Sequence, residues 1–256
     1  LSAIVEVDAD GIVSRNPDRG LLREDVAFHV ATSELEKAVG DLVLISNIAK
    51  PGGLQFSRVA ITAEDRWKFP SPLGNDLGLA VKRASDLGWP PLTELGISEV
   101  WAWAHSVSGF QEGVGKGRVG RALGALSHLM RPGERSPADL AWALLGLEAL
   151  YGKGTQGLKA QIIEKSSTLL GRATEHKKRF DGIYDYRSRF VHGDLDIPFA
   201  YSPYDALPDV ETFMDETSEC EYLATAILLA TLQRLAAKRW IDIDFAYDPI
   251  GRSRSD

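Results

Sequence analysis

The chain has 256 residues, room for one large domain or two small ones, and its 44% hydrophobic and 25% charged side chains are the balance of an ordinary globular protein. A net charge of −7 argues against nucleic-acid binding by bulk charge, and the single cysteine, Cys220, excludes an internal disulfide. The most apolar run, Tyr222 to Leu232, is eleven residues long where a bilayer crossing takes about 20, and the opening residues lack a secretory-signal pattern, so the expectation is a cytoplasmic protein with no membrane contact.

Residues 1–91 read as a mixed α/β region. "AIVEVDADG", from Ala3, predicts a short strand entering a turn at Asp10-Gly11, and "FHVATS", Phe28 to Ser33, predicts another. Ser33 with Glu36 three residues on has capping-box spacing, and Leu35, Ala38, Val39, Leu42 and Ile45 continue at helical intervals until Pro51-Gly52-Gly53. "LQFSRVAI", Leu54 to Ile61, has strand composition. A Pro- and Gly-rich loop and a short helix over Leu77 to Leu87 follow. "GWPP", Gly88 to Pro91, marks the boundary; it is too short and stiff for a tether, so the two regions should pack together.

Residues 92–245 read as an all-α bundle, with helices near 94–106, 117–131, 137–151, 156–171, 174–192 and 211–239. Ser136-Pro137 supplies an N-cap and an N1 proline, and Gly171 and Gly193 mark helix ends. Residues 246–256 form a polar tail. The expected fold class is therefore α+β.

"YDYRSRFVHG", Tyr184 to Gly193, departs from an ordinary amphipathic helix. Phe180, Ile183, Tyr184, Phe190 and Val191 form an apolar stripe whose i+7 position is Arg187. A cation facing a core needs a partner. Glu148 flanks the stripe Leu140, Leu144, Leu147 and Tyr151 of another helix, and is the expected acceptor. His192 lies five residues after Arg187, roughly 140° around an ideal helix and about 7.5 Å along it. One chain does not converge the two; two chains about a two-fold axis near this helix end would. Two readings stay open on the residues alone: a core-edge ion pair with a helix-dipole cap at His192, or a composite site.

Arg187 and His192, separated by four residues, together with "LYGKGTQGLKAQIIEKSSTLLG" and the "VGRALGALSHL" helix, resemble the HEPN superfamily, in particular its ApeA-like branch of bacterial defence proteins. The resemblance covers roughly 95–240 and leaves the first region unassigned. It implies a dimerising helical bundle and a metal-independent endoribonuclease without cofactors, an antiphage-defence or toxin effector whose partners are RNA, a second copy of the chain, and a phage trigger or antitoxin. It also implies His192 as general acid/base and Arg187 as the clamp on the scissile phosphate. A residue type that titrates near neutrality suits proton transfer, and a planar guanidinium suits phosphate oxygens. Tyr184 on the stripe, with Ser188, Asp194 and Asp196 beside the motif, are supporting candidates, the aspartates as groups that orient His192. Lys153 to Arg189 carries nine Lys/Arg against four Asp/Glu, and Lys177, Lys178, Arg179 and Arg189 within it are candidate RNA contacts. The alternative is a non-catalytic dimerisation, sensor or nucleotide-binding module with the same fold.

Other motifs carry less. "GVGKG", Gly113 to Gly117, lacks the GxxxxGK[ST] order of a phosphate loop and reads as a link between helices. His29, His105, His128 and His176 share no metal-ligand spacing. Trp101, Trp103 and Trp142 read as packing residues, and Cys220 as an inert buried thiol.

Overall fold

The structure is a computed structural model, and it describes residues 23–54, 61–63, 66–68, 77–130, 137–154, 157–199, 202 and 207–245. In chain order the elements are α1 (Arg23–Ala49), the paired strands β1 (Ile61–Ala63) and β2 (Arg66–Lys68), α2 (Gly78–Leu87), α3 (Ile97–Ser106), α4 (Gly117–Leu129), α5 (Pro137–Tyr151), α6 (Leu158–Leu170), a 3₁₀ turn (Ala173–His176), α7 (Lys177–His192) and α8 (Pro208–Ala237). The "AIVEVDADG" strand, the Ser136 cap and the polar tail lie outside the described residues.

Helix α8 is the axis of the bundle. From Leu223 to Gln233 every residue is buried, so the helix has no solvent face there. Such a helix must be surrounded, and α1 to α7 all contact it. Of its buried polar residues, Thr231 donates to the Ile227 carbonyl at 2.7 Å and its hydroxyl meets Tyr151 at 2.8 Å, whereas the Thr225 hydroxyl has no hydrogen-bond partner among the described residues. Helices α4 and α5 lie flat on one another because small residues line their contact. A Cβ on Gly146 would sit 2.8 Å from Leu228 and 3.2 Å from Ala125. Across these helices Leu123, Leu126, Leu140, Leu144, Leu147 and Leu150 are all buried, each contributing about 1.5–3 kcal/mol.

Two cations close the C-terminal end of α5. Arg118 donates to the Gly152 carbonyl at 2.7 Å, and Lys165 to the Tyr151 carbonyl at 2.5 Å. Carbonyls without a helical partner carry the negative end of the helix dipole, which favours both. The contact fixes α5, and hence Glu148, against α4 and α6.

The mixed α/β expectation for the first region is corrected: the fold is all-helical, with 73% of it in helix. The one ladder, β1 against β2, is three residues long and pairs with nothing else among the described residues. "FHVATS" lies inside α1. The expected cap at Ser33 fails for a specific reason. Ser33 donates to the His29 carbonyl at 2.8 Å and Thr32 to the same carbonyl at 3.0 Å, so both hydroxyls bond back to the preceding turn within a continuing helix. Of "LQFSRVAI", Leu54 follows a turn and Ile61 opens β1; the residues between lie outside the described set.

One buried cluster runs from Val43, Leu44, Ile45 and Ile48 of α1 through Trp89 to α8 and Ile243. Trp89, in the expected boundary, is 1% exposed, with its ring 4.9 Å from His176 and 5.9 Å from Phe180. Gln233 of α8 ties in the linker: its amide donates to the carbonyls of Ile48 at 2.8 Å and Thr93 at 2.6 Å, and accepts from Thr93 N–H at 3.0 Å.

Candidate functional site

Helix α7 buries Phe180, Ile183 and Tyr186. The buried stripe is thus turned slightly from the one read in the sequence: Tyr186 enters the core, while Tyr184 is partly buried and Val191 is 58% exposed. Arg187 therefore stands at the edge of the packing face. It shares a cleft of about 130 Å³ with Leu140, Leu144, Glu148, Phe190 and Val191, between α5 and α7.

Within the cleft, Arg187 Nη2 lies 3.8 Å from Glu148 Oε1. This is ion-pair range, beyond a hydrogen bond. The Arg187 side chain is 39% exposed and that of Glu148 20%. Tyr184 stands one turn before Arg187 on α7. Burial pushes its hydroxyl pKa far above the usual phenol value, the Glu148 carboxylate pushes it the same way, and Arg187 opposes them. Among the described residues, neither the Tyr184 hydroxyl nor Glu148 Oε1, both buried, has a hydrogen-bond partner.

His192 is the last residue of α7 and is exposed. Gly193 follows in the left-handed region at φ 76°, which an L side chain adopts only with strain, and Asp194 N–H closes the turn on the Arg189 carbonyl at 2.8 Å. His192 does not line the Arg187 cleft. No hydrogen bond or ion pair joins Ser188, Asp194 or Asp196 to it among the described residues. The structure thus pairs Arg187 with Glu148, sets Tyr184 one turn away along α7 and outside the lining of their cleft, and leaves His192, Ser188 and Asp194 on the open end of the helix.

Lys177, Lys178 and Arg179 are exposed and Arg189 is partly exposed. Carboxylates interrupt this face: Asp181 is held below the usual carboxylate range by the hydrogen bond from Lys159, at 2.8 Å. Lys159 and Lys178 line a recess with Tyr184, a role for Lys159 that the sequence did not signal. Around the end of α7 stand four exposed apolar side chains, Leu145, Val191, Ile197 and Phe199, the last 71% exposed.

"GVGKG" contributes Gly113, Val114 and Gly115 to a separate cleft of about 380 Å³, walled by α1 and α4, with the Lys37–Asp41 ion pair (2.6 Å) among its lining residues. Part of its glycine content is packing: a Cβ on Gly115 would sit 2.2 Å from the Gly120 carbonyl oxygen. Of the histidines singled out, His105 holds the Trp101 carbonyl at 2.9 Å and His128 stacks on Trp142 at 3.9 Å. Trp103 is buried and donates to the Trp240 carbonyl at 2.8 Å, whereas Trp101 is 39% exposed. Cys220 is partly buried, and its thiol is pushed up to about 11 by burial. No group of three or more His, Cys, Asp or Glu is placed to hold a metal ion among the described residues, and no helix there is long and apolar enough to cross a membrane.

Comparison of the chain with protein-family models, with curated proteins and with solved structures finds no significant match, so the chain's own residues and geometry are what a functional reading can draw on.

Proposed function

We propose that this chain is a metal-independent endoribonuclease of HEPN type, acting as a homodimer in a defence or toxin role, with Arg187 and His192 as its working residues. The observation that carries this reading is the placement of the R-x4-H pair at the open end of a bundle helix. His192 stands free in solvent, and Arg187 reaches the surface from an adjoining cleft. The exposed Leu145, Val191, Ile197 and Phe199 at that end give a second copy an apolar surface to cover.

Such a dimer carries two histidines and two arginines. One neutral imidazole takes the proton of the ribose 2′-hydroxyl as its oxygen attacks phosphorus. The bond from phosphorus to the 5′-oxygen breaks, and the partner's imidazolium protonates the leaving oxygen. The guanidinium balances charge on the phosphoryl oxygens. The products are a 2′,3′-cyclic phosphate and a 5′-hydroxyl. A single chain, with its two groups on different sides of α7, lacks the second proton carrier.

The ion pair of Arg187 with Glu148 favours a second reading, a non-catalytic dimerisation, sensor or nucleotide-binding module in which Arg187 is structural. Incubating the purified protein with total cellular RNA in EDTA separates the two. Cleavage that leaves 2′,3′-cyclic phosphate ends, lost in His192→Ala and in Arg187→Ala, is the expected result. Undiminished cleavage by His192→Ala, or by a strictly monomeric form, overturns it. An intact RNA pool with wild-type protein leaves the module.

A further inference from the structure

Arg187 is engaged without being satisfied. Its Nη2 is 3.8 Å from Glu148 Oε1, and that oxygen is buried with no hydrogen bond among the described residues. The Tyr184 hydroxyl is buried in the same condition. Tyr184 and Arg187 are three residues apart on one helix and so are neighbours on its surface. A buried acceptor thus lies against a partly exposed cation, with a buried donor one turn along the same helix, and the two buried oxygens bear the cost of leaving water without a full return. Leu140, Leu144 and Phe190 close the cleft around Arg187, so the direction left for its guanidinium is outward, where the side chain is already 39% exposed.

We infer that Glu148 and Tyr184 are a parking site for Arg187, from which an arriving phosphodiester draws the guanidinium while the Tyr184 hydroxyl takes its place on Glu148. The inference rests on the reading of Arg187 as the phosphate clamp. Removing one partner of a buried ion pair strands the other charge. A neighbouring hydroxyl that turns to donate to Oε1 prevents that, and burial keeps the Tyr184 proton in place well beyond neutral pH. Glu148 and Tyr184 are positioning residues: they set how readily Arg187 reaches substrate, and touch no reacting atom.

The test uses the full chain and a short 2′-O-methyl oligoribonucleotide, which keeps every phosphate and lacks the attacking hydroxyl. Glu148→Gln should bind it about threefold to fivefold more tightly, the range a partly exposed ion pair supports. Tyr184→Phe should bind it more weakly by a similar factor, and in the double variant the Tyr184 effect should vanish, because no stranded carboxylate remains. In the wild-type protein the Arg187 Nε–H resonance and the Tyr184 ring resonances should shift together on titration with the probe. A purely structural pair moves melting temperature in both variants and leaves affinity and the coupling between them unchanged, which overturns the proposal. So does an Arg187 resonance that stays put while the probe binds. Cleavage of RNA that depends on His192, with affinities unmoved by either substitution, overturns the parking site and leaves the nuclease. Affinities that move as stated in a protein that never cleaves RNA overturn the nuclease and leave a phosphate-binding parking site. A wild-type protein that does not bind the probe overturns the parking site, and RNA cleavage alone then decides the nuclease.

Discussion

At the scale of single residues, the glycines divide into two kinds. Gly115 is forced, since a Cβ there would lie 2.2 Å from the Gly120 carbonyl oxygen. Gly124, inside α4, has nothing within 4 Å of the same position. Gly115→Ala should therefore cost about 1–3 kcal/mol through overpacking against backbone, while Gly124→Ala should gain about 1 kcal/mol from helix propensity alone. Urea midpoints of the two variants check the opposite signs. The same residue-level logic decided what was legible at the candidate site. Arg187 stood out because one cation interrupted an apolar stripe, and Glu148 because one carboxylate flanked another. Tyr184 was named as a supporting candidate only for its place on the stripe; the orphaned state of its hydroxyl exists only once the chain is folded. Lys159 was silent for the same reason, being one lysine among many until α6 brings it to Asp181.

At the scale of elements, the junction between α6 and α7 holds a titrating group. His176 stacks on Trp89, and its pKa lies below the usual 6.5, first because burial penalises the imidazolium and then because Arg179 repels it. A depressed folded value means that the unfolded chain takes up the proton first. The stabilisation is complete above 6.5 and is lost as pH falls from there through the folded value. Thermal melts from about pH 8 to about pH 5 should show wild type losing more than His176→Phe, which keeps the stack and cannot titrate. An equal pH dependence in both proteins would show that other groups govern the loss. The helices around this junction were readable because their apolar positions repeat over three or more turns: α5 spans Pro137–Tyr151, the very span the sequence indicates, and α8 begins three residues before the span expected for it. The first region was misread because Phe28, Val30 and Thr32 alternate over six residues, too short a window to separate the two periods. Nothing local told that Ser33 would bond backwards and let α1 continue.

At the scale of the whole molecule, one side chain joins distant parts of the chain. Gln233 holds Ile48 and both backbone groups of Thr93 from the middle of α8. Gln233→Leu keeps the volume and removes all three hydrogen bonds, so it should cost about 2–3 kcal/mol and open the 91–96 segment to proteases before the bundle melts. Cleavage confined to other segments would show that the linker is held by Trp89 instead.

The central position of α8 has a consequence for how the chain is made. Every other helix described here leaves the ribosome before the one helix they all share. At roughly 5–20 residues per second, the inward face of α5 waits several seconds for its partner to emerge. Through that interval Leu140, Leu144 and Leu147 have α4 to lean on and no α8, so the nascent chain leaves this apolar face open until translation is past residue 237. Closure of the fold then waits on the last helix, and a chaperone that holds nascent apolar segments has its longest window on this bundle before Ala237 is clear of the exit tunnel.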